Sequence, residues 1–283
     1  MTEARDFTIA PAAWDPDFAA RSSLFEPLRA ALQHLPRSSW PTCDELDRLA
    51  RAEPPLRVHN GLPVRFVPQP AASPLAYETR AYRHGEVQMR AENWHDLFNA
   101  LVWRTFPRTK AALNRAHYEA TVASANRNRG PRRDALTVFD ESGVIVVAHD
   151  AALLELLREF RWHELFWRAR ERVCQAMRFV VFGHALYEKA LRPYIGLTGH
   201  AVLVPVNETF LAEPFAQQLG ELDAVVAARL QDGRELASPR VLAPLPVLGV
   251  PGWWPANEQE AFYRNTSYFR PGRRPASTKR EER

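Results

Sequence analysis

Residues 93–117, NWHDLFNALVWRTFPRTKAALNRAH, constrain this chain most, because an apolar helical repeat runs through them and breaks once, at Pro107. Trp94, Leu97, Phe98, Leu101 and Val102 recur at helical spacing and define a buried face. Asn93 can cap the first turn, with Asp96 reaching back in the manner of a capping box. Pro107 lacks an N–H and suits a first helical turn, so the pattern predicts a second helix rather than a continuous one. Leu113, Ala116 and Ala120 make its apolar side. The two helices should form a hairpin or a kinked pair.

Weaker signals surround this pair. Asp15 to Leu35 has helical apolar spacing, and Thr42 can cap a short helix through Arg51. Prolines recur between Pro54 and Pro74, which implies an extended connection. Tyr77 to Met89 alternates around His84 and Gly85 as a hairpin would. Ala135 to Phe139 and Val144 to Ala148 read as a strand pair, with Asp140, Glu141, Ser142 and Gly143 as the turn between them. Helices are expected at Ala151 to Arg158, His163 to Arg172 and Phe215 to Leu230, and a strand at Ala201 to Val206. Phe179 to Leu191 is apolar nearly all round and reads as a buried helix, although Phe179 to Phe182 alone fits a strand. The C-terminal stretch PLPVLGVPGWWPANEQEAFY reads as an irregular Pro- and Trp-rich wrap in which Asn257 and Glu260 have capping-box spacing. Helical periodicity dominates and at least one hairpin is signalled, so the expected class is α+β: a mainly helical single domain with a small antiparallel sheet or hairpins.

Composition removes several functional classes. With 46% hydrophobic residues in 283, the chain can bury a substantial core. No apolar run approaches about 18 residues, so no spanning helix and no membrane partner are expected. The N-terminal residues lack the apolar core of a secretory signal, which makes the cytoplasm the default location. Cys43 and Cys174 stand far apart and form neither a disulfide framework nor a cysteine zinc site. Residues 270–283 carry six basic and two acidic side chains, a net charge of +4 that equals that of the whole chain. Residues 1–269 are therefore the globular, formally neutral part and 270–283 a basic tail of disordered composition, and nucleic acid is not an expected partner. Walker A, HExxH, GxGxxG, GxSxG and EF-hand patterns do not occur.

Chemistry-bearing residues concentrate in the helical pair. His95 lies near a helix N-terminus, where the dipole favours a neutral ring suited to proton abstraction or metal ligation; its structural alternative is a hydrogen-bonded ring at the rim of the core. Asn99 and Trp103 follow at i+4 and i+8. An asparagine inside a helix requires solvent exposure, the commoner case, or a specific hydrogen bond, and Asn114 poses the same requirement. Lys110, Asn114 and His117 project from one side of the second helix, where they can hold an anion beside a base or line a solvated face. Arg127, Arg129, Arg132 and Arg133 crowd a loop able to clamp phosphate or carboxylate. His184 and Glu188, at i and i+4 in an apolar helix, need partners; Glu188 can orient His184, both can ligate a metal, or they form a satisfied buried pair. Gly183 beside them suggests a close approach of backbone or ligand.

The blocks NWHDLFNALVWRTFP, TKAALNRAH, RRDALTVFDESG, FGHALYEKAL and LPVLGVPGWWPANE resemble the signature blocks of a proteobacterial family, number 3025 among the domains of unknown function, over roughly residues 60–270. The resemblance implies no reaction, ligand or catalytic residue. From the residues, the expectation is an enzyme with a helix-lined polar pocket. His95, Lys110, His117, His184 and Glu188 would do acid/base or metal-assisted hydrolysis on a small anionic substrate, and Asn99, Trp103, Asn114, Arg132 and Arg133 would bind it. The alternative is a non-catalytic adaptor using the Arg loop, the C-terminal wrap and the basic tail. The sequence identifies no cofactor or particular metal and does not define an oligomeric state. Convergence of His95, Lys110, His117 and His184 in one pocket would favour the enzyme.

Overall fold

In the computed structural model, which describes residues 13–70, 75–123, 130–232 and 236–272, the two central helices lie where the apolar repeat puts them. The first turns of the chain are tighter than expected: 3-10 segments at Phe18–Ala20 and Ser23–Leu28 precede the short α1 (Arg29–Leu32). Pro27 inside the second segment removes an N–H that a continuous α-helix would use. In α2 (Cys43–Arg51), Thr42 accepts from the Glu45 N–H while the Glu45 carboxylate accepts from the Thr42 N–H, a complete capping box.

The hairpin expected at Tyr77 to Met89 is instead a helix and a strand. Strand β1 (Arg65–Pro68) pairs in parallel with β2 (Glu86–Met89), and α3 (Tyr77–His84) lies between them. Gly85 ends α3 with φ +68°, and a Cβ there would lie 2.2 Å from the Pro63 carbonyl oxygen. The turn therefore requires glycine on both conformational and steric grounds.

Asn93 caps α4 (Trp94–Thr105) by accepting from the Asp96 N–H at 3.1 Å. The Asp96 carboxylate does not complete a capping box; it accepts from the Arg90 backbone N–H at 2.7 Å and pairs with the Arg90 guanidinium at 2.8 and 2.9 Å. A bidentate, charge-assisted partner outcompetes a neutral N–H. Pro107 opens α5 (Pro107–Ala123), and Asp223 of a later helix accepts from the Arg108 and Thr109 N–H groups of its first turn, at 3.0 and 2.7 Å.

The largest departure from the sequence pattern is α6 (Pro131–Ser142), where a strand and turn were expected. Pro131 occupies the first helical turn, and Asp140 and Glu141 belong to the last turn of the helix, not to a hairpin loop. The chain passes straight into β3 (Gly143–Ala148), which is buried along its whole length. Then follow α7 (Ala151–Arg158), a π turn at Glu164–Arg168, α8 (Arg170–Ala176) and β4 (Met177–Val181). Next come α9 (His184–Ala190), β5 (Thr198–Pro205), α10 (Phe215–Asp232) and β6 (Ala243–Pro246). The open alternative at Phe179 resolves as strand, and only the second half of that apolar segment is helical.

Strand order is β4-β3-β5-β6, with β3 and β5 parallel and the outer pairs antiparallel. Helix α4 packs on α9, and α6 packs on both α5 and α9, so four helices meet beside the Gly143 end of β3. The class is α+β and mainly helical, although the sheet is mixed rather than antiparallel. In the C-terminal wrap Asn257 is fully buried and donates to the Leu248 and Val250 carbonyls, while Glu260 pairs with His163. Neither forms the expected capping box, because the buried amide has nearer carbonyls to satisfy. No described helix is long and apolar enough to cross a membrane.

Candidate functional site

His95 sits in the first turn of α4, His184 begins α9, and Glu141 ends α6. Their approach depends on Gly183. A Cβ at that position would lie 2.4 Å from the Gly143 nitrogen and 2.5 Å from Ser142 Cα, so only glycine lets α9 start against the end of α6. The close approach inferred from the sequence is thus one of backbone.

The two imidazoles meet edge to face, with ring centroids 4.5 Å apart, and their Nε2 atoms are 3.0 Å apart. Behind His95, Nδ1 donates to the Glu188 carboxylate at 2.9 Å. Behind His184, Nδ1 faces Asp140 Oδ1 at 3.7 Å, too long for a direct hydrogen bond, and has no hydrogen-bond partner among the described residues. Glu141 Oε1 lies 3.9 Å from His184 Nε2. Ligand atoms of His95, His184 and Glu141 all fall within 4.8 Å of one another. His184 is buried, but the Glu141 and Glu188 side chains are 42% and 43% exposed, so the cluster opens to solvent on their side.

Glu188 does not serve His184, its helical neighbour, but turns to His95 across the α4/α9 contact. The Glu188 hydrogen bond holds the His95 pKa above its ordinary value despite partial burial. A carboxylate in direct contact thus opposes the helix dipole, which alone would lower the value. The same hydrogen bond holds Glu188 below the usual carboxylate range.

Asp140 connects the cluster to Lys110. Lys110 Nζ donates to Asp140 Oδ1 at 2.6 Å, and the two side chains are only 4% and 12% exposed. Burial pushes the Asp140 carboxyl up, but Lys110 and His184 override it and hold the group well below the ordinary carboxylate range. Lys110 also lies over the Trp103 ring, 5.6 Å from its centroid. An ammonium so placed neutralises a buried carboxylate and is not presented to a solvent-borne anion.

The other residues singled out in the sequence face inward. Asn99 donates to the Tyr77 hydroxyl at 2.7 Å, and Asn114 donates to the backbone carbonyl and side chain of Glu78. Both asparagines are buried, which corrects the expectation of exposure. Asn99 Oδ1, Asn114 Oδ1 and Trp103 Nε1 are buried without hydrogen-bond partners among the described residues. His117 is buried farther along α5. Arg132 and Arg133 begin α6, whereas Glu141 ends it, about 14 Å along the axis at ~1.5 Å per residue. Arg127 and Arg129 lie outside the described residues, as does the tail beyond Gly272.

The structure therefore joins His95, His184 and Glu188 directly and Lys110 through Asp140. Asp140 and Glu141 are the residues that sequence reading missed. Pro131 in a first turn with Asp134 behind it was the available signal for a helix that carries them inward. The three largest cavities described, of about 1010, 540 and 420 Å³, are not lined by His95, His184, Glu141 or Glu188. Convergent geometry, rather than cavity size, identifies the cluster.

Residues 64–273 match the family model described as "Protein of unknown function (DUF3025)". No curated protein and no solved structure matches the chain.

Proposed function

We propose that this chain, which belongs to that family of unknown function, is a hydrolase using one divalent metal ion bound by His95 Nε2, His184 Nε2 and the Glu141 carboxylate, with a small anionic substrate. The observation that carries this reading is the approach of two imidazole Nε2 atoms to 3.0 Å, with a carboxylate behind each ring. A proton on each Nδ1, facing its carboxylate, turns two Nε2 lone pairs toward each other. That arrangement needs a cation or a shared proton between them. Two nitrogens bound to tetrahedral zinc at ~2.0–2.1 Å lie about 3.3 Å apart. The observed separation is within a few tenths of an ångström of that value, and Glu141, partly exposed, has freedom to close its longer gap.

Three protein ligands leave a coordination position for water, as in catalytic rather than structural sites. The bound ion supplies a water of lowered pKa and a Lewis acid for the substrate oxygen. Glu188 fixes the His95 tautomer from behind, the outer-shell role common to metal-bound histidines. Asp140 faces the rear of His184, and Lys110 keeps this buried carboxylate ionised. With Lys110 so engaged, binding of an anion falls to the metal itself. Arg90, half exposed and paired with Asp96, is a cation within electrostatic reach of Glu188.

The test is metal titration followed by hydrolysis of phosphate monoesters, aryl esters and anilides with zinc, manganese or cobalt added. The expected result is one ion per chain and an activity removed by chelation, restored by the ion and lowered at least 100-fold in His184→Ala and Glu141→Gln. An activity indifferent to chelation overturns the mechanism. A bound ion without hydrolysis of any substrate overturns the hydrolase reading.

A further inference from the structure

The largest cavity described, about 1010 Å³, lies where the C-terminal wrap crosses the open end of β5 and the outer strand β6. None of its lining residues is acidic. Two are arginines, Arg240 and Arg270, both exposed and neither with an acidic partner among the described residues. The walls are otherwise mostly apolar, including Phe160, Leu242 and Tyr268.

We propose that this cavity is a second ligand site that takes a small amphipathic anion, with its carboxylate or phosphate head on Arg240 and Arg270 and its apolar body against Phe160, Leu242 and Tyr268. On the Arg270 side the cationic rim is held in place before any ligand arrives. The Trp162 indole N–H donates to the Arg270 carbonyl at 2.8 Å, and Arg270 Nε donates to the Ser267 carbonyl at 2.9 Å, leaving the two terminal guanidinium nitrogens free for a bidentate partner. The Tyr268 hydroxyl donates to the Leu197 carbonyl at 2.7 Å and accepts from the Leu248 N–H, which ties the wrap to the sheet. Such preorganisation reduces the ordering cost of binding.

Exposed apolar side chains flank the opening: Ile195 is 51% exposed beside Gly196, and Val241 is 52% exposed between Arg240 and Leu242. Two observations favour a small molecule over an added peptide strand. The volume is that of ligand pockets, at their upper range. The outer strand β6 carries Pro244 and Pro246, which donate no N–H, and so offers a poor edge for strand addition.

The test is calorimetric titration of the full chain with decanoate, decyl phosphate and decanol, with and without zinc. Saturable binding of the two anions, at least tenfold tighter than decanol, is expected, and the better head group distinguishes carboxylate from phosphate ligands. Arg240→Gln and Arg270→Gln should each weaken the anions at least tenfold and leave decanol binding and the melting temperature unchanged. Thr198→Trp, at the cavity wall, should block all three. Equal affinity for decanol, wild-type affinity in both arginine variants, or no saturation overturns the proposal. Anion binding that depends on zinc and disappears in His95→Ala would place the ligand at the metal cluster and also overturn it.

Discussion

Replacing Lys110 by methionine removes the cation from a buried pair while keeping a long apolar stem. Asp140, 12% exposed, would then face only His184 Nδ1 at 3.7 Å. The lost contact is a 2.6 Å charge-assisted hydrogen bond between two desolvated groups. Breaking such a pair from one side costs about 3–5 kcal/mol, because the remaining charge stays buried without its partner. Loss of packing adds little, since methionine occupies nearly the same volume. The assay is urea unfolding followed by far-ultraviolet circular dichroism, comparing Lys110→Met with the double variant Lys110→Met/Asp140→Leu. The double variant should recover most of the loss, to within about 1 kcal/mol of wild type, because an apolar replacement of both partners is often nearly neutral. A single variant that loses less than about 1 kcal/mol, or a double variant no better than the single, would refute the assignment of Lys110 as the counter-ion of Asp140.

Gly183→Ala should destabilise the fold by at least about 2 kcal/mol in the same assay, since its Cβ meets backbone at 2.4–2.5 Å, and a wild-type midpoint would contradict the close contact. Asp223→Ala removes both acceptors from the first turn of α5 and should cost about 1–2 kcal/mol, measured by thermal or urea unfolding. Asp150 caps α7 through the Ala152 N–H and pairs with Arg172; Arg172 holds its carboxyl below the ordinary value of 3.8. A depressed folded pKa stabilises above the unfolded value and loses that contribution as pH falls through the folded one. The stability difference between wild type and Asp150→Ala should therefore be full at pH 7 and shrink below about pH 4; a difference that grows on acidification would contradict it.

Local chemistry was legible where the deciding contacts were local. Thr42 with Glu45, Asn93 at the start of α4, and Pro107 at the start of α5 act within one turn, and their spacing in sequence is their spacing in the structure. The segment ALTVFDESG misled for an equally local reason: Thr137, Val138 and Phe139 are good strand formers, and DESG carries turn chemistry, yet the segment is helix through Ser142 because α6 is held between α5 and α9. Parallel pairing of β1 with β2 is set by contacts that periodicity does not encode. The site shows the same division. His95, His184 and Glu188 were visible as polar residues in apolar helices, but Glu188 reaches a ring 93 positions away rather than its helical neighbour. Glu141 became a candidate ligand only when Gly183 brought α9 against α6. Lys110 stood out correctly as a residue in need of an explanation, and burial beside Asp140 provides one that is electrostatic and internal.

The central claim is tested most directly by X-ray absorption on the zinc-loaded protein beside the His95→Ala and His184→Ala variants. The account predicts one zinc per chain with two imidazole nitrogens at ~2.0–2.1 Å and oxygen ligands completing the shell. Each variant should lose one imidazole from that shell and bind zinc more weakly. Zinc that fails to bind the wild-type chain, or that keeps both imidazoles when His95 and His184 are replaced together, would contradict it.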